Sequence, residues 1–374
     1  MKYIYLDNAA TTAQGALVTQ EINRAGEMLF YNSAALYPPS LFVKQQIEAA
    51  RQVILKRLCA SGEGELVFTS GATESNNIVI IGKSAKHGRV LLLEGEHSSC
   101  HIPIKHLKDG GYEVDMIPID KGGKVDLAAF SGACAEIDTA KLPVLVVFGL
   151  VNSDTGTVQD ARAFVQAVRA VFPRAHIHCD ATQAFCKIPF DAAGLDLDSV
   201  AVSAHKIGGP KGIGALWMKK GANIRPLIMG GGQQTLRPGT ENTGGVLGFA
   251  CAVQVFDTEK NMRHVAGLHS RLVTNLPKGC TVNGVNNNPY ITNIQLPNLL
   301  GQAVMNALAA NGVLVGLGSA CASNALKNRT LLAMGISDKK TKQVIRVSFS
   351  PENTISDVDT FIAVLKKVLA NLVA

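Results

Sequence analysis

The sequence has no run of about 18 or more apolar residues, although hydrophobic residues make up 47% of it. That lack excludes a membrane-spanning helix, and a charged fraction of only 17% in so apolar a chain excludes disorder. No block of roughly five or six like charges occurs. The net charge of +7 is spread along the chain, which gives little support to a nucleic-acid role and fits anionic ligands or acidic partners. Cys59, Cys100, Cys134, Cys179, Cys186, Cys251, Cys280 and Cys321 form no C-x-x-C pair and no framework spacing. A disulfide scaffold and a zinc site are thereby set aside, and no metal is expected. The opening MKYIYLDNAATT lacks the apolar core and cleavage site of a signal peptide, so a cytoplasmic location is the expectation. There are no internal repeats and no low-complexity tract.

What is present is length and alternation. At 374 residues the chain exceeds one ordinary domain of roughly 100 to 200 residues and predicts two. Short aliphatic runs alternate with longer amphipathic stretches: ELVFT (65–69), RVLLLEG (89–95), KLPVLVVFGL (141–150), HIHCD (176–180), SVAVS (199–203) and GALWMKK (214–220). This pattern predicts an α/β fold with a mainly parallel central sheet flanked by helices, and the nearly continuous apolar runs predict strands buried on both faces. After about residue 250 the texture changes to helical stretches around a turn-rich segment, which reads as a smaller α+β domain ending in a helix near 355–373. In open α/β sheets ligands sit beyond the carboxyl ends of the strands, so polar residues directly after strands are the candidates.

Four such places stand out. SVAVSAHKIGGPKG (199–212) ends a strand in Ser203, His205 and Lys206 and then breaks at glycines; a lysine there is placed for a Schiff base with an aldehyde cofactor. Taken alone, Lys206 reads more simply as a solvated surface lysine. HIHCD ends at Asp180, a carboxylate able to keep a pyridine nitrogen protonated, with Gln183 one turn on; equally, Asp180 reads as a helix cap. FTSGATESNN (68–77) leads a strand through Gly71 into a helix near Thr73, and unpaired N–H groups there with the Thr73 hydroxyl make a phosphate cup. His97, after RVLLLEG, can stack on a ring and move protons near neutral pH.

Taken together, these segments resemble the cysteine desulfurases of the NifS/IscS type, in the class V branch of the fold type I pyridoxal 5'-phosphate (PLP) enzymes. The resemblance runs almost end to end: YLDNAATT, FTSGATESNN, the pair Glu96 and His97, VNSDTGTVQD, DATQ, SAHKIGGPKGIGAL, GGGQQ with RPGTEN, GSACAS and IRVSFS. It implies a large PLP-binding domain over 16–250 and a small α+β domain of 1–15 plus 251–374 that carries a catalytic cysteine loop. Residue by residue, it implies PLP on Lys206, ring stacking by His97, Asp180 at the pyridine nitrogen and Gln183 at the ring hydroxyl. For the phosphate it implies Ala72, Thr73, Ser203 and His205, with Thr240 given by the neighbouring subunit of a homodimer with shared active sites. Cys321, in the small-residue stretch GLGSACASNALKN, resembles the sulfur-accepting nucleophile. Arg346, a guanidinium inside the apolar stretch QVIRVSF, needs a carboxylate partner. The resemblance implies that this is the L-cysteine α-carboxylate, with Asn152 and Ser153 nearby; an internal salt bridge is the other reading.

The implied reaction converts L-cysteine to L-alanine and leaves a persulfide on Cys321, supplying sulfur to an acceptor such as an iron–sulfur scaffold. Three departures from the family pattern are visible. Tyr37 stands near where a histidine is usual, Ser153 replaces an asparagine, and the chain stops soon after its terminal helix, without the extension that docks a scaffold in housekeeping enzymes. The competing readings are a selenocysteine lyase, a sulfinate-type β-lyase or an aminotransferase on the same fold, and a non-catalytic interaction protein. Transamination has no use for Cys321. Retention of Lys206, Asp180 and His97 together speaks against loss of chemistry.

Overall fold

The computed structural model describes residues 3–83, 88–137, 143–231, 234, 236–285, 288–318 and 328–373. Its centre is a seven-stranded sheet built from β2 (Glu65–Thr69), β3 (Arg89–Leu93), β4 (Glu113–Ile117), β5 (Pro143–Gly149), β6 (His176–Asp180), β7 (Ser199–Ser203) and β8 (Gly214–Met218), in the order β2-β8-β7-β6-β5-β3-β4. β7, β6, β5, β3 and β4 are parallel, while β8 runs antiparallel to both of its neighbours. The expected mainly parallel sheet is therefore present, with β8 its one reversed strand. β2 points the same way as β7, so six carboxyl ends share an edge.

Helices cover both faces because the strands are apolar on both. Val146, Phe148 and Ile177 belong to one buried cluster; Leu145, Val147 and Leu92 belong to the other, across the sheet. Helix α6 (Ala161–Val171) illustrates how the cover forms. Asp160 caps it by accepting from Ala163 N–H at 3.1 Å, and Ala161, Phe164, Val165 and Val168 recur at helical spacing as its buried stripe. Helix α3 (Ala72–Gly82) enters differently, with Gly71 before it and no side-chain cap.

The turn before α3 touches β8 closely. A Cβ on Gly214 would stand 2.6 Å from both Gly71 Cα and Val202 O, so only glycine lets the two backbones meet. Gly214→Ala is expected to destabilise the protein by about 1–3 kcal/mol, read as a lower urea midpoint with an unchanged m-value.

Two smaller sheets lie in the rest of the chain. β9 (Thr281–Asn283), β10 (Ile291–Gln295) and β12 (Val344–Ser348) form an antiparallel sheet, and β1 (Ile4–Leu6) pairs in parallel with β11 (Val313–Val315). Bridges from Asp7 to Ser348 and from Gly316 to Arg346 join these two sheets. The segment after β1 is fixed to them by Asn8 Nδ2, which donates to Ser348 O at 2.9 Å, and by Ala9 N–H, which donates to Ser348 Oγ at 2.8 Å. No helix among the described residues is long and apolar enough to cross a membrane.

Candidate active site

The strand ends open onto a cavity of about 780 Å³, within the roughly 300–1,000 Å³ usual for small-molecule sites. Gly71, Ala72 and Thr73 after β2, Glu96 and His97 after β3, Asn152 and Ser153 after β5, Asp180 and Gln183 at the end of β6, and Ser203, His205 and Lys206 after β7 all line it. Asp7, Ala9, Gly316, Gly318 and Arg346 close the far side.

Lys206 ends a single 3₁₀ turn, Ala204–Lys206, that follows β7 directly. Its Nζ donates to Ala9 O at 2.6 Å and Ala10 O at 2.8 Å, so the ammonium faces carbonyl dipoles rather than a carboxylate. Burial, aided by the charge of Arg346 and opposed by Asp180 and Asp7, brings its pKa down to about 8. A useful fraction of the amine is thereby free near neutral pH, as a nucleophile toward an aldehyde requires.

Beside it lies an anion cradle. Gly71, Ala72 and Thr73 at the uncapped start of α3, Ser203 and His205 all line the cavity, and a Cβ on Gly71 would stand 3.8 Å from Ser203 Oγ. N–H groups at a helix start and the positive end of its dipole favour an anion. His205 Nδ1 is 3.1 Å from Thr11 Oγ1, and burial with the cations Lys206, Lys187 and Lys211 lowers its pKa to about 4. It is a neutral hydrogen-bonding group there.

Asp180 lines the same cavity. Oδ1 accepts from Thr182 N–H at 3.0 Å and Oδ2 from Asn76 Nδ2 at 2.8 Å. His97 stands at the N-cap of α4 (Ser98–Asp109), where Nδ1 accepts from Ser99 N–H at 3.1 Å. Desolvation in the recess lowers its pKa, with Asp180 pulling the other way. Gln183 has both ends of its amide engaged: Nε2 donates to Ala9 O at 2.8 Å, and Oε1 accepts from Lys187 Nζ at 2.9 Å. Among the described residues, two buried polar atoms on residues of the cavity wall, Thr182 Oγ1 and Arg346 Nε, have no hydrogen-bond partner. Such orphans in a wall call for a ligand.

Arg346 carries its own counterion. Nη2 donates to Asp7 Oδ1 at 2.9 Å, Nη1 donates to Ser153 O at 2.9 Å, and Asp154 Oδ1 lies 3.9 Å from Nη1. The internal ion pair weighed from the sequence is thus present, and the buried Nε has no partner among the described residues. Ser153 contributes its carbonyl to this arrangement. Asn152 Oδ1 accepts from Asp154 N–H at 2.9 Å, and its Nδ2 donates to Thr330 Oγ1 at 3.3 Å, which ties the β5 loop to the start of α10 (Arg329–Ala333).

One of the expected residues, Thr240, is not brought here. Thr240 is exposed and does not line the cavity. Cys321 lies outside the described residues, though Gly318, three positions earlier, lines the cavity. Tyr37 is 51% exposed and precedes α2 (Pro38–Leu58), away from the cavity wall. Three groups were given no role from the sequence, although Glu96 and Asp7 lie in quoted motifs. Glu96 is buried, which pushes its carboxyl up to about 8, against the Gly149 N–H that it accepts from at 2.7 Å. Lys187 is buried behind Gln183 and brought down to about 7, with Lys206 and Arg346 adding to the burial effect. Asp7 sits in the quoted motif YLDNAATT, but only the fold reveals it as the partner of Arg346.

The class-V aminotransferase family model matches residues 4–361. The cysteine desulfurase IscS 1 of Archaeoglobus fulgidus is 32% identical, over 98% of this chain and 97% of that protein. A cysteine desulfurase of Sinorhizobium fredii is also 32% identical, over 100% of this chain and 98% of that one. Among solved structures, a NifS-like protein superposes with a TM-score of 0.88 at 30% identity, covering 99% of both chains. A structure of SspA in complex with cysteine gives 0.80 at 27% identity, over 94% of this chain and 99% of that one. The chain belongs to the class-V aminotransferase family, in its branch of NifS- and IscS-like cysteine desulfurases.

Proposed function

We propose that this protein is a PLP-dependent cysteine desulfurase, which converts L-cysteine to L-alanine and passes the sulfur to its own Cys321. The observation that carries the reading is the convergence, in one cavity, of an amine at about 8, an anion cradle and a hydrogen-bonded carboxylate. The residues fit PLP: Thr73, Ser203, His205 and the start of α3 for its phosphate, Lys206 for its aldehyde carbon, Asp180 for its ring nitrogen and His97 for its ring face. The orphaned Thr182 Oγ1 and Arg346 Nε are two further donors that a bound cofactor and amino acid would use. When bound, PLP supplies a protonated pyridine ring that draws electrons away from the amino acid's α carbon.

The chain's own residues do the remainder. Arg346, already oriented by Asp7 and lining the cavity, holds the substrate carboxylate. Lys206 takes the α proton as an amine and returns it as an ammonium, a role its lowered pKa suits. His97, whose Nδ1 is engaged by Ser99, offers Nε2 as a proton donor toward a sulfur anion. Over the cycle the substrate's carbon–sulfur bond breaks and a sulfur–sulfur bond forms on Cys321; the three-carbon product leaves as alanine. A homodimer in which Thr240 reaches the partner's cradle, a cytoplasmic setting and an iron–sulfur scaffold as acceptor complete the reading.

Protein reconstituted with PLP and supplied with L-cysteine and a reductant is expected to release sulfide and alanine in equal amounts. Transfer of the amino group to a keto acid without sulfide would assign an aminotransferase instead. Protein that stays colourless after incubation with PLP would overturn both.

A further inference from the structure

We infer that Asn76 is a positioning residue for the reaction, whose single amide, held by a line through His178, Ser199 and His176, fixes Asp180 and, through Ser99, the tautomer of His97. This rests on the proposed roles of Asp180 and His97. The alternation of β6 puts His176, His178 and Asp180 on one face of the sheet, and α3 lies over that face. Asn76 is fully buried on α3 at that point, as are His178 and Ser199 beneath it.

The direction of every hydrogen bond follows from one fact: an ionised carboxylate only accepts. Asn76 therefore presents Nδ2 to Asp180 Oδ2, at 2.8 Å, and with the same group reaches Ser99 Oγ at 2.9 Å. Its Oδ1 then faces His178 Nε2 at 2.9 Å, so that nitrogen carries the proton. Burial lowers the His178 pKa to about 4 although Asp180 opposes it, so the ring is neutral and Nδ1 is bare. Nδ1 accepts from Ser199 Oγ at 2.8 Å, and the same oxygen accepts from His176 Nε2 at 2.8 Å. His176, brought down to about 2 by burial and the charge of Lys83, is neutral as well. Every donor in the line points toward Asp180.

The other branch fixes His97. Ser99 Oγ accepts from Asn76, so its proton goes to His97 Nδ1 at 2.9 Å, where Ser99 N–H also points. Nδ1 is occupied twice as an acceptor, and the proton of the neutral ring sits on Nε2. Two other titratable groups interact with Asp180. Cys100 Sγ lies 4.0 Å from Oδ2 with its thiol pKa pushed well up by burial, and Glu96, at about 8, adds no second negative charge at pH 7. The cation nearest in effect is Lys206, whose charge Asp180 stabilises.

The test has two arms. In wild-type protein with ¹⁵N-labelled histidine, His178 and His97 are expected as Nε2–H tautomers, with His178 unchanged from pH 6 to 9. A His178 that titrates in that range or carries its proton on Nδ1 would overturn the inference, and this arm needs neither cofactor nor variant. In the second arm, His178→Leu is expected to raise the PLP dissociation constant and lower kcat, each about tenfold, with KM for L-cysteine within about twofold. His178→Gln, which keeps a donor toward Asn76 and an acceptor toward Ser199, is expected to recover both to within about threefold. Wild-type PLP affinity and kcat in His178→Leu would equally overturn the inference. If His178→Leu does not fold, Ser199→Ala serves, with an expected loss of about threefold and the same criterion. Wild-type protein that takes no PLP would remove the proposed function while leaving the tautomers as they are, so the two failures are distinguishable.

Discussion

Lys206→Ala is expected to give a folded protein that no longer develops the visible band of lysine-bound PLP and releases sulfide from L-cysteine roughly 1,000-fold more slowly. The side chain is held by two carbonyls, and its loss leaves those oxygens facing a solvated cavity, so the fold has little reason to suffer. Among the described residues one other amine lines the cavity, Lys211, and it is exposed where Lys206 is largely buried. Lys187, although brought down to about 7, is engaged by Gln183 and does not line the cavity. Lys206→Arg retains charge without a nucleophilic amine and is expected to match the alanine variant. The pH dependence has a definite sign. A lysine lowered from 10.5 to about 8 is roughly one-tenth neutral at pH 7, about 300-fold more than an unshifted lysine. The rate at which cofactor-free protein captures PLP should therefore rise with pH through about 8 and level off above it. A rise that continues toward 10.5 would mean that burial does not act on this amine as described.

The strand-end residues were legible because an apolar run that stops at a polar residue marks where a buried strand reaches the sheet edge. Lys206, Asp180, His97 and Thr73 were all found this way, and all line one cavity. Partnerships were not legible, because they depend on chain contacts that no local pattern records. Arg346 meets Asp7 across 339 positions, and Asn76 meets His178 across 102. The alternation His176, His178, Asp180 was a readable signal of a polar strip on one strand face, but only α3 lying over it gives the strip a purpose. The reversed direction of β8 was hidden for a different reason. GALWM has the same apolar texture whichever way it runs, and its short connection from β7, occupied by Lys206 and the following glycines, decides the direction.

Cys321→Ala should separate the two halves of the proposed reaction. The cofactor band and PLP affinity are expected to stay as in the wild type, while sulfide and alanine production falls at least roughly 1,000-fold. The expectation rests on the absence of a substitute thiol. Among the described residues no cysteine lines the cavity; Cys59, Cys100, Cys134, Cys179 and Cys186 are buried, and burial pushes Cys100 and Cys179 well above the usual thiol range. A thiol so raised supplies almost no thiolate at pH 7 and cannot attack a substrate sulfur. Gly318, three positions before Cys321 in the sequence, lines the cavity, and Thr330 Oγ1 accepts from Asn152, which also lines it. Cys321→Ser is expected to be as inactive as the alanine variant, because a serine hydroxyl is not ionised at neutral pH and holds no persulfide. Mass spectrometry of wild-type protein after L-cysteine should find one added sulfur on Cys321, removed by reductant. Full turnover by Cys321→Ala, or a persulfide carried on another cysteine, would transfer the nucleophile's role elsewhere and leave the PLP site intact.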